Sequence, residues 1–151
     1  MEMARVSELM TKDVIYTISQ NASVEEAAER MKQVGRGCLI VVERTQLVGI
    51  ITERDLVQKV IAEKLVPKNV KVSRIMSKPV ITVGPEALVS DAASIMLQNK
   101  IRRLVITEGD SVVGVLTVTD FAKFLHKRAG SDPMLAAMAR AATLLSQTPE
   151  L

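Results

Sequence analysis

Two stretches of this sequence set hydroxyl and carboxylate side chains at one spacing: Gly49-Ile50-Ile51-Thr52-Glu53-Arg54-Asp55 and Gly114-Val115-Leu116-Thr117-Val118-Thr119-Asp120. Each runs from the end of an apolar, β-rich segment into the start of a helix. A helix start leaves backbone N–H groups unpaired and carries the positive end of the helix dipole, both of which favour a bound phosphate. The hydroxyls of Thr52, Thr117 and Thr119 add donors beside it. A carboxylate one turn in, Asp55 or Asp120, can accept from two vicinal ribose hydroxyls. With apolar walls for a base, that division of labour fits a nucleotide. Thr and Asp also cap helices without binding anything, and for a single copy capping is the better reading. Two copies in register favour a ligand.

Catalytic alternatives find little support. His126 is the only histidine and sits beside Lys127 and Arg128, as expected of a solvated helix C-terminus. Cys38 is the only cysteine and lies in an apolar run, where a thiol acts as a small hydrophobe. Asp55 and Asp120 fall in different copies, so they do not make an acid–base pair. The expectation is a protein that is not an enzyme, with no metal and no cofactor.

The elements that carry the two motifs repeat. From Thr17 and from Thr82 onward the chain matches itself at an offset of 65, with thirteen of forty-five positions identical over Thr17 to Ile61, too many for coincidence. Ser23-Val24-Glu25-Glu26 is a capping box; Val24, Ala27, Ala28 and Met31 then follow at helical spacing until Gly35 ends the helix. Val89, Ala92, Ala93 and Met96 repeat that stripe, with Leu88 in place of the capping serine. Leu39 to Val42 and Leu47 to Ile51 read as a hairpin, as do Leu104 to Ile106 and Val112 to Leu116 around Gly109. Lead-in strands are expected at Val14 to Ile18 and Val80 to Val83.

The predicted fold class is therefore α+β: two strand-helix-strand-strand-helix units packed about a pseudo-twofold axis, plus a C-terminal helix begun by Ser131-Asp132-Pro133. The expected boundaries are 6–66 for the first unit, 67–71 for a linker, 72–128 for the second unit and 131–147 for the extension.

The chain has 151 residues, 48% hydrophobic side chains and a formal charge of +3. The charge favours anionic partners. Yet twenty basic residues are interspersed with seventeen acidic ones, and Tyr16, Phe121 and Phe124 are the only aromatics, too few for stacking single-stranded nucleic acid. A nucleic-acid- or protein-binding scaffold is the rival reading. No apolar run is long enough to cross a bilayer, and Met1 to Met10 does not resemble a secretory leader, so a cytoplasmic protein without a membrane partner is expected.

The pattern of glycine, two apolar residues, Thr, two variable residues and Asp, set in a repeated strand-helix-strand-strand-helix unit, resembles the cystathionine beta-synthase (CBS) domain over roughly Val6 to Arg128. In that family two units form a Bateman module whose clefts bind AMP, ADP, ATP, S-adenosylmethionine or related compounds. The resemblance implies a regulatory nucleotide sensor in which Asp55 and Asp120 hold ribose while Thr52, Thr117 and Thr119 approach phosphate. It also implies that Val14, Ile15, Lys78, Pro79 and Val80 line the base, and that Arg36, Arg102 and Arg103 contact phosphate. A guanidinium suits that last task because its fork of donors matches phosphate oxygens, although Arg36 reads equally well as a solvated loop residue. The family further implies a homodimer and a protein partner to receive the signal.

Arg36 aligns with Ile101, and Arg54 occupies the position of Thr119. The two sites are therefore chemically unequal, and the tighter one is expected at Thr117, Thr119 and Asp120. Val105 stands where the family commonly has proline, which bears on strand geometry.

Overall fold

The computed structural model describes residues 4–10, 15–130, 132–134, 137–138 and 140–141. Val14 and most of the expected 131–147 helix lie outside that set, although 133–134, 137–138 and 140–141 have helical backbone. The class is α+β, and the chain forms two compact units.

The first unit, 14–81 with 109–111, contains β1 (Thr17–Ser19), α1 (Val24–Val34), β2 (Cys38–Glu43), β3 (Gln46–Thr52), α2 (Glu53–Leu56) and α3 (Val72–Ile75). β1 runs parallel to β2, with Thr17 opposite Ile40, because α1 carries the chain back across the sheet. β2 and β3 form the expected hairpin, with Cys38 opposite Thr52 and an irregularity at Val41/Val42. α2 continues into a single π-helical turn at Val57–Ile61. Val24, Ala27 and Met31 bury the inner face of α1 against Leu39, Val41 and Ile51. Ala28, expected in that stripe, is exposed: the sheet covers only the line through positions 24, 27 and 31.

The second unit, 1–13, 82–108 and 112–151, repeats the order with β4 (Thr82–Val83), α4 (Val89–Asn99), β5 (Arg103–Glu108), β6 (Ser111–Thr117) and α5 (Val118–Ala129). β4 pairs with β5 in the same parallel sense, Thr82 opposite Val105. Leu104, Ile106 and Leu116 are fully buried. Both lead-in strands are shorter than the sequence suggested, starting at Thr17 and Thr82.

The short helical segments ahead of the repeats are bound in an order the chain does not suggest. Val72 and Ser73 donate backbone N–H to the carbonyls of Ala22 (2.8 Å) and Gln20 (3.0 Å). Val6 and Ser7 donate to those of Ala87 (2.9 Å) and Pro85 (3.0 Å). The two sets match residue for residue, so the repeat extends to individual hydrogen bonds.

Local signals explain the helix ends. Ser23 and Glu26 cap α1 reciprocally, and Gly35 closes it at φ 65°. α4 has no side-chain cap at Leu88 and is closed by Lys100 at φ 53°, at the position aligned with Gly35. A lysine Cβ crowds its own carbonyl in this left-handed region. Lys100→Gly is therefore expected to stabilise the chain by about 0.5–1 kcal/mol, the relief being partly offset by a freer unfolded chain. A higher urea midpoint at unchanged slope would show it. Among the described residues, no helix is long and apolar enough to cross a membrane.

Candidate functional site

Both motif aspartates lie where a strand hands over to a helix, and both are nearly buried, Asp55 at 7% and Asp120 at 9% exposure. A buried carboxylate must be partnered. In the first unit Thr52 donates its N–H to Asp55 Oδ2 at 2.9 Å and its hydroxyl to the same oxygen at 3.1 Å, and Asp55 returns its N–H to Thr52 Oγ1 at 3.2 Å. In the second unit the matching distances for Thr117 and Asp120 are 2.8, 3.0 and 3.2 Å. The threonine is the N-cap and the aspartate the third helical residue, a capping box in each copy. The box has a chemical consequence as well as a structural one: it fixes the carboxylate through Oδ2 and so determines how Oδ1 is presented.

The helix starts offer less to phosphate than the sequence suggested. The N–H of Val118 goes to the carbonyl of Arg102 at 3.3 Å and that of Asp120 to Thr117 Oγ1. Glu53 N–H likewise goes to Gly37 O at 2.9 Å, and Asp55 N–H to Thr52 Oγ1. Two of the three first-turn amides at each junction are thus occupied within the protein.

Arg102 adjoins the second junction. Its backbone meets the first residue of α5, and Arg103 opens β5; both are half-buried, as are Thr117 and Thr119. Arg36 is exposed, in the loop between α1 and β2.

Of the expected base-lining residues, Ile15 is half-buried and stands just before Tyr16, whose carbonyl accepts from Ile40 N–H at 3.0 Å. Since Cys38 pairs with Thr52, Ile15 enters the sheet at the same end as the Thr52–Asp55 junction. Lys78, Pro79 and Val80 are not brought to that junction. Ser77 pairs antiparallel with Ile50, so the chain after Ser77 runs away from Thr52 while Ile75 lies towards it. Lys78 and Pro79 are exposed, Val80 is half-buried, and the peptide entering β4 reaches its sheet where β5 begins.

One participant escaped the sequence reading. Lys59 Nζ lies 2.9 Å from Asp55 Oδ1 and donates to the carbonyl of Ile75 at 3.0 Å. The acid–base spacing of four residues was the available signal. Phe124 stands at the matching place in the second copy. Among the described residues, no three or more His, Cys, Asp or Glu side chains are grouped to hold a metal ion.

Comparison with known proteins agrees with this architecture. The CBS domain pattern matches residues 6–62 and 72–127. The CBS domain-containing protein YhcV of Bacillus subtilis is 34% identical over 131 residues, which span 85% of this chain and 92% of that protein. An uncharacterised protein of Methanopyrus kandleri is 38% identical over 122 residues, 80% of this chain and 62% of its own length. A further one from Methanocaldococcus jannaschii is 36% identical over 84% of this chain, matched across only 43% of that protein. The chain thus spans less than two thirds of either archaeal relative. Among solved structures, a protein with CBS domains from Burkholderia ambifaria superposes with a TM-score of 0.75 at 25% identity, covering 85% of this chain and 96% of that one. A hexameric CBS-CP12 protein from bloom-forming cyanobacteria gives 0.72 at 27% identity, over 97% and 99%. The chain belongs to the CBS-domain family and carries the domain as a tandem pair.

Proposed function

We propose that this tandem pair is a non-catalytic regulatory module that binds an adenosyl nucleotide of the AMP, ADP or ATP type, with the junction of Thr117, Thr119 and Asp120 as its principal site. Tandem CBS domains are in general regulatory ligand-binding modules, and the proposal specifies ligand and place. The observation that carries it is the Thr117–Asp120 capping box: a nearly buried carboxylate, fixed through Oδ2, beside a second threonine and two half-buried arginines. Ribose hydroxyls donate to a carboxylate, and phosphate oxygens accept from hydroxyl and guanidinium groups. The binding of such a ligand becomes a signal when the ligand prefers one of two states of the protein.

Calorimetric titration with AMP, ADP, ATP and S-adenosylmethionine, alongside a DNA duplex at two salt concentrations, tests the reading. Saturable heat with an adenine nucleotide supports it. Saturation by S-adenosylmethionine alone would move the assignment to that ligand. Duplex affinity that falls steeply with salt, with no heat from any adenosyl compound, would replace the sensor by the scaffold reading.

Self-association is part of the same proposal. Val57 and Ile61, 56% and 66% exposed, lie four residues apart on the helical segment after α2, an apolar face that a second copy can cover. Ile61→Glu is expected to shift sedimentation from dimer towards monomer; an unchanged sedimentation coefficient would remove this face from the interface.

A further inference from the structure

We propose that residues 85–89 of the second unit form a peptide-binding edge whose occupant, residues 4–10, can be supplied by a second copy of this chain, so that two chains join by exchanging that segment.

The contacts that seat the segment are chiefly main-chain. Val6 and Ser7 donate N–H to the carbonyls of Ala87 (2.9 Å) and Pro85 (3.0 Å), the carbonyl of Ala4 receives Val89 N–H at 3.0 Å, and Arg5 stands opposite Leu88 in an antiparallel bridge. Val6 is fully buried, and Arg5 Nη1 adds a bond to the carbonyl of Glu86 at 2.9 Å. The segment also does for α4 what its N-cap does not: Leu88 supplies no side-chain cap, and Ala4 takes the first helical N–H instead. Withdrawing the segment removes these partners from Val89, Ala87 and Pro85, and main-chain groups so exposed favour a replacement strand.

Bonds of this kind follow the course of a backbone and require little of its side chains beyond one buried valine. The first unit bears this out with a different segment. There Val70 receives Val24 N–H at 2.8 Å, Lys71 stands opposite Ser23, and Val72, also fully buried, and Ser73 donate to Ala22 and Gln20. Residues 4–10 are joined to their edge only by way of 14–81, a compact unit of its own, so no short loop enforces seating within one chain. A second copy's segment makes every contact that the chain's own makes, and reciprocal exchange fills both edges, at little cost beyond association. The segment at 70–76 is held more firmly. Lys59 Nζ donates to the carbonyl of Ile75 at 3.0 Å, whereas Phe124, at the matching place in the second copy, has no donor to give. Exchange is therefore assigned to residues 4–10.

The test traps the exchanged state. Arg5 and Leu88 oppose one another without hydrogen bonds between them, a pairing that sets Cα atoms about 4.5 Å apart, within disulfide range. Arg5→Cys and Leu88→Cys are introduced into separate full-length chains that also carry Cys38→Ser, and the two are mixed, incubated and oxidised. A disulfide-linked dimer is expected, growing with protein concentration and roughly tenfold more abundant than that from Arg5→Cys mixed with Leu97→Cys, an exposed collision control. No linked dimer above the collision level, from cysteines that do close within one chain as the Arg5→Cys/Leu88→Cys double variant, would overturn the exchange. Should that double variant fail to close, or circular dichroism show a disturbed fold, native mass spectrometry of mixed light- and heavy-isotope Ile61→Glu chains decides. Mixed dimers that Val6→Asp abolishes are expected, because a carboxylate cannot take the buried valine's place. Chains that stay monomeric, or dimers that survive Val6→Asp, would overturn the proposal.

Discussion

Asp120→Asn is expected to weaken adenine-nucleotide binding about a hundredfold while leaving the fold within about 1 kcal/mol of the wild type. The separation follows from the two oxygens. Asparagine keeps one carbonyl oxygen that can accept from the Thr117 amide and hydroxyl, as Oδ2 does now at 2.8 and 3.0 Å, so the helix cap survives. It replaces the other oxygen by an amide that donates, and so meets a ribose hydroxyl with the wrong polarity. Losing two hydrogen bonds to a charged acceptor costs roughly 3 kcal/mol, a little over two decades in affinity. Calorimetry for binding and thermal melting for stability separate the two roles. Unchanged affinity would leave Asp120 as a cap alone. A melting point lowered as far as a core truncation lowers it would mean that the carboxylate serves the fold first.

Gly49→Val should cost about 3 kcal/mol of stability, enough to lower Tm by roughly 5–10 °C. The cause is space. A Cβ at Gly49 would stand 2.6 Å from Met76 Sδ, 2.9 Å from Met76 Cγ and 3.1 Å from the carbonyl of Ser77. Alanine can push the methionine aside, since its thioether is adaptable. Valine adds two methyl groups beside a backbone carbonyl that receives Ile50 N–H at 3.1 Å, and that bridge must open. The strand loosened in this way is β3, which ends at Thr52. A melting curve indistinguishable from the wild type's would show that Met76 and Ser77 do not hold this approach.

What the sequence disclosed was what is local. The capping box at Ser23, the closing glycine at 35 and the strand-to-helix threonines each depend on residues within a turn of one another, and each appears where the pattern placed it. α4 forms over the same eleven residues as α1 although Leu88 and Lys100 are poor terminal residues, because its buried stripe through Ala92 and Met96 outweighs its ends. Distant contacts were not legible. That the first amide of each helix is spent depends on the carbonyls of Gly37 and Arg102, which only folding brings to the helix starts. Nor does the chain reveal that Val6 bonds beside Ala87 while Val72 bonds beside Ala22: the two segments are alike, and either would suit either sheet. The capping threonine and the carboxylate were foreseen; the pairing of Lys59 with Asp55 was not, since an acid and a base four residues apart on a helix are ordinarily a solvated pair.

The central claim is that a fixed carboxylate at Asp120 grips the ribose diol. The most direct measurement compares ADP with 2′-deoxy-ADP on the wild-type chain by calorimetry. Removing one hydroxyl should weaken binding roughly tenfold or more, and that difference should vanish in the Asp120→Asn variant. Equal affinity for the two nucleotides on the wild-type protein would contradict the account.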